Sequence, residues 1–62
     1  MENKAIIIYA QHVLDTIELA KERGDKFNAV PPLTATFNSY VNLYRRLTGK
    51  DLIVIEGKVQ EA

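Results

Sequence analysis

The architecture of this chain turns on Leu52-Ile53-Val54-Ile55. Three of its four residues are β-branched, which favours an extended strand over a helix. A strand must satisfy its backbone N–H and C=O groups, and a buried one cannot leave them open. The chain offers no second strand of comparable strength. Glu56-Gly57-Lys58 could turn the chain back and set Val59 beside Ile55, but so short a hairpin is weak on its own. The expectation is therefore one C-terminal strand over 52–56 and a polar tail over 57–62. Antiparallel pairing with the same strand of a second copy would complete the sheet.

The size of the chain points the same way. Its 62 residues make one small domain. A chain this short buries only roughly 60% of its unfolded surface. Small scaffolds usually add a disulfide, a metal or a second subunit. Cysteine is absent and His12 is the single histidine. That removes disulfides, thiolate sites and a His-rich metal site within one chain, and leaves oligomerisation. No catalytic, cofactor or metal residues are expected.

Charge excludes little by itself. Eight Lys plus Arg balance eight Asp plus Glu, so global electrostatics predicts no strong pull toward nucleic acid or an anionic membrane. No run approaches the roughly 18 apolar residues of a membrane-spanning helix. Met1-Glu2-Asn3-Lys4 is too acidic, and too quickly followed by polar residues, for a secretory signal. The expected setting is the cytoplasm, with which the lack of cysteine is compatible.

Upstream of the strand, residues 4–23 carry a helical period. Asn3 is placed at the N-cap, and Gly24 at a left-handed C-cap. Ile6, Ala10, Val13, Ile17 and Ala20 share one face, flanked by Ile7, Tyr9 and Leu14. Lys4, Gln11, Asp15, Glu18 and Glu22 lie opposite. Ile8 and Leu19 fall together on the far side, near His12, so this helix should touch something on two sides. The β-branched run Ile6-Ile7-Ile8-Tyr9 offers a strand as the competing reading, but the helical spacing continues to Ala20.

Residues 24–32 read as a connector. Gly24-Asp25 marks a turn, and Val30-Pro31-Pro32 an extended entry. Two prolines without a repeat make a weak polyproline ligand. A second helix follows over 33–48. Leu33, Phe37, Tyr40, Val41, Tyr44 and Leu47 form its stripe, widened by Leu43. Thr48-Gly49 ends it, with Arg45, Arg46 and Lys50 near the negative end of the macrodipole. The resulting fold class is mainly α with a minor β element: a two-helix hairpin, then one strand, completed by homo-oligomerisation.

Chemistry is sparsely encoded. Asp15 could orient His12, with Thr16 or Ser39 as a nucleophile, but a surface histidine beside an acidic neighbour is the simpler reading. Gly24, Gly49 and Gly57 are isolated, so no phosphate-binding loop exists. From Phe27 to Lys50 there is no acidic residue. Asn38, Asn42, Arg45 and Arg46 share the polar side of the second helix, and Asn and Arg read base edges in a major groove. The cations are few for a nucleic-acid binder.

These observations lead to a non-enzymatic homodimer or higher oligomer that binds a protein partner as a regulator, inhibitor or assembly adaptor. Ile8, Leu19, Leu52, Ile53, Val54 and Ile55 form the expected oligomer interface. Asn38, Asn42, Arg45, Arg46, Lys50, Tyr40 and Tyr44 are the candidates for contact with a partner or with nucleic acid. A small dimeric nucleic-acid regulator using the Asn/Arg face is the alternative. A nucleotide or small-molecule sponge with sites between subunits, at Arg45, Arg46 and the tyrosines, is the third reading.

Overall fold

The computed structural model describes residues 3–62. Helix α1 spans Asn3–Glu22 and helix α2 spans Val30–Thr48; strands β1, Leu52–Ile55, and β2, Lys58–Glu61, follow. The fold is mainly helical with a minor β element, as the periodicity predicts.

The strand expected to lack a partner in its own chain has one. β1 pairs antiparallel with β2, Leu52 opposite Glu61 and Ile55 opposite Lys58. The expected polar tail over 57–62 is therefore mostly a strand. The turn explains how. Glu56 and Gly57 sit at φ 51° and 78°. Two successive positive φ values make a type I′ turn, whose twist matches that of the flanking strands. Asn-Gly is the familiar signature, and Glu-Gly hides it.

Two helix starts also differ from expectation. Asn3, expected as an N-cap, is already helical. α2 begins at Val30 rather than Leu33, with both prolines in its first turn. Proline lacks an N–H, and the first turn of a helix has no intrahelical use for one.

The connector is built around Asp25. α1 ends in a Schellman arrangement: the Gly24 N–H donates to the Lys21 carbonyl at 3.1 Å and the Asp25 N–H to the Ala20 carbonyl at 2.8 Å. Gly24 takes the expected left-handed conformation at φ 80°. The Asp25 carboxylate then accepts from the Ala29 N–H at 2.7 Å and from the Val30 N–H at 3.2 Å. One residue thus finishes α1 with its backbone and starts α2 with its side chain. At the other end, Gly49 adopts φ 75° and its N–H donates to the Arg45 carbonyl.

Ile6, Ala10, Tyr44, Leu52 and Val59 form the core. It joins the start of α1 to the end of α2, so the helices run antiparallel. The hairpin lies across that end. Ile17 is buried further along α1. No helix among the described residues is long and apolar enough to cross a membrane.

Candidate interaction surface

The core consumes part of the expected interface. Leu52, expected between chains, is only 8% exposed and packs in its own chain's core. Tyr44, placed on the core stripe of α2 and also offered as a partner contact, is only 4% exposed, and its hydroxyl donates to Glu61, so the core reading holds and the contact does not. Both are corrections with one cause: β2 brings Val59 and Glu61 back over the end of α2, where the sequence alone leaves an open strand.

Alternation along the hairpin sorts the rest. Leu52, Val54, Val59 and Glu61 share the face toward the helices, and Ile53, Ile55, Lys58 and Gln60 the face away from them. Ile53, Val54 and Ile55 are exposed. The two-residue turn makes Ile55 and Lys58 a hydrogen-bonded pair, so the backbone groups of Val59 point to the outer edge of β2. Gln11 closes that edge. Its Oε1 accepts from the Val59 N–H at 2.7 Å and its Nε2 donates to the Gly57 carbonyl at 2.9 Å. The sequence places Gln11 on a solvated face; its role needs the hairpin to be seen first.

The outer side of α1 is where exposed apolar surface and charge alternate. Ile8 is 66% exposed and Leu19 is 44% exposed, with His12 and Asp15 exposed between them. Asp15 accepts from the Gln11 Nε2 at 3.0 Å. The Thr16 hydroxyl donates to the His12 carbonyl at 2.9 Å and that of Ser39 to the Ala35 carbonyl at 3.0 Å. Both hydroxyls serve the helix backbone in this structure.

The Asn/Arg face of α2 exists as drawn from the period. Asn38, Asn42, Arg45 and Arg46 are all exposed. Two of the expected cations are, however, occupied: Arg45 pairs with Asp51, and Lys50 with Glu61 at 3.3 Å. Glu61 accepts from Tyr44 and from Lys50, and both hold its carboxyl below the usual carboxylate range. The same bond, with burial and the neighbouring negative charge, pushes the Tyr44 hydroxyl up. Tyr40 is half-buried, and its ring lies 6.1 Å from that of Tyr9.

Phe27 is a further surface feature. It is 93% exposed and borders a concavity of about 470 Å³ together with Thr16, Leu19, Ala20, Arg23 and Lys26. An aromatic between Lys26 and Asn28 gives no period to read, so no sequence signal reveals it. No protein-family model, curated protein or solved structure matches this chain significantly.

Proposed function

We propose that this protein is a small non-enzymatic interaction module that works as a homodimer and binds a protein partner, in the role of a regulator, inhibitor or assembly adaptor. One observation carries the reading: Ile8, Leu19, Phe27, Leu47, Ile53, Val54 and Ile55 are all exposed large apolar side chains on a chain this small. Where such side chains lie together they form the kind of apolar patch that serves association. The small buried core supports it as well, because a second subunit adds buried surface to a chain of 62 residues. A cytoplasmic setting accords with the absence of cysteine. The nucleic-acid alternative has less support, since Arg45 and Lys50 are held by Asp51 and Glu61.

Sedimentation across micromolar concentrations tests the dimer. A concentration-dependent shift from monomer to dimer is expected. A folded monomer throughout would overturn the reading.

A further inference from the structure

We infer that the outer stripe of α1 is the dimer seam, and that it receives the same stripe of a second copy running antiparallel. This rests on the homodimer reading above and assigns its surface. At 100° per residue, Ile8, His12, Asp15 and Leu19 fall within an arc of roughly 60°. All four are exposed, and none joins the core. They extend along roughly 16 Å of helix.

The occupant follows from the symmetry of the stripe. The midpoint of Ile8 and Leu19 falls between Val13 and Leu14, and so does the midpoint of His12 and Asp15. A two-fold axis through that point, perpendicular to the helix, sets Ile8 against Leu19 of the second copy. The same axis sets His12 against Asp15 of the second copy, and each pairing occurs twice. At one edge of the stripe it also brings Lys4 near Glu22 of the second copy, since those two are centred on Val13 and share one side of the helix. Apolar residues thus meet apolar ones, and a base meets an acid. A parallel alignment would instead oppose His12 to His12 and Asp15 to Asp15, which sets two carboxylates against each other and leaves neither imidazole an acid to meet. The stripe complements itself in one direction only. The hairpin's Ile53 and Ile55 face away from the helices and are not part of this seam.

Two measurements test the seam. The chain has no cysteine, so Ile8→Cys and Leu19→Cys can be made as separate single-cysteine proteins. They are treated singly and as a mixture with a short thiol-specific cross-linker. A covalent dimer joining the two different variants is expected in the mixture, with little from either alone. Self-linking of Ile8→Cys at the mixture's level, or no linking in the mixture, would overturn the antiparallel seam. In sedimentation, Ile8→Lys should raise the dimer dissociation constant roughly 100-fold, because the two-fold places the change at two contacts per dimer. Circular dichroism should be unchanged, since Ile8 is exposed. If Ile53→Lys dissociates the dimer while Ile8→Lys does not, the seam lies on the hairpin: this inference fails and the homodimer reading stands. A monomer at all concentrations removes both.

Discussion

The Gln11 side chain stands in for a strand beside Val59. Its amide accepts from the Val59 N–H at 2.7 Å and donates to the Gly57 carbonyl at 2.9 Å, as a neighbouring backbone would. β2 therefore gains a partner on its outer edge without a third strand. Gln11→Ala should destabilise the protein by about 1–2 kcal/mol, at about 1 kcal/mol for each bond. The urea midpoint measures that loss, and faster amide exchange at Val59 should accompany it. An unchanged Val59 exchange rate would show that Gln11 does not hold the edge.

The turn between the strands is strained at one residue. Glu56 holds φ 51°, a left-handed conformation that costs a side-chain-bearing residue about 1 kcal/mol and that Asn tolerates better. Glu56→Asn should therefore stabilise the protein by about 0.5–1 kcal/mol. Gly57→Ala should cost about 1 kcal/mol. A Cβ at Gly57 would meet open space, so that loss would come from the backbone alone. Thermal unfolding of the two variants should move in opposite directions.

Asp25 is the joint between the helices. Its carboxylate bonds the Ala29 and Val30 N–H groups and places negative charge at the start of α2. Asp25→Ala should cost about 1 kcal/mol, the usual effect of losing a helix cap. Asp25→Asn keeps an oxygen acceptor and should recover part of that loss. Chemical denaturation of the pair measures both contributions.

Acid should weaken the end of the fold where the hairpin meets α2. The Glu61 carboxyl is held below its ordinary range by the Tyr44 hydroxyl and by Lys50. A carboxylate depressed in the folded state contributes stability above its unfolded pKa and loses it as pH falls through the lower folded value. The urea midpoint should accordingly drop between neutral pH and about pH 3, and Glu61→Gln should flatten part of that drop. The Tyr44 hydroxyl is shifted the other way. Its contribution is present below the ordinary tyrosine value and is lost as pH rises through the higher folded value, above about pH 10. Tyr44→Phe should remove that alkaline loss.

Both helices were legible because their signals are local and repeated. Ile6, Ala10 and Ile17 on α1, and Leu33, Phe37, Tyr40, Val41 and Tyr44 on α2, recur at a period that one helix alone imposes. Gly24 and Gly49 announced the helix ends because a left-handed residue there favours glycine. The second strand was less legible. Lys58-Val59-Gln60-Glu61 has one apolar residue, and its turn lacks the usual asparagine. The surface divided in the same way. The period showed Ile8 and Leu19 on the far side of α1 and Tyr44 on the core stripe of α2, but not that Leu52 would be taken up by the core.

Two amphipathic helices, a β-branched strand and a single small domain were already written in the residues. Each follows from residue type, spacing and length. Which edge and which face of the strand remain free depends on long-range contacts. β1 meets β2 in its own chain because Glu56-Gly57 reverses it, Val59 enters the core with Leu52, and Gln11 closes the outer edge. Those contacts join residues far apart in sequence, and no local period records them. Leu52-Ile53-Val54-Ile55 is thus a paired strand whose Ile53, Val54 and Ile55 remain exposed.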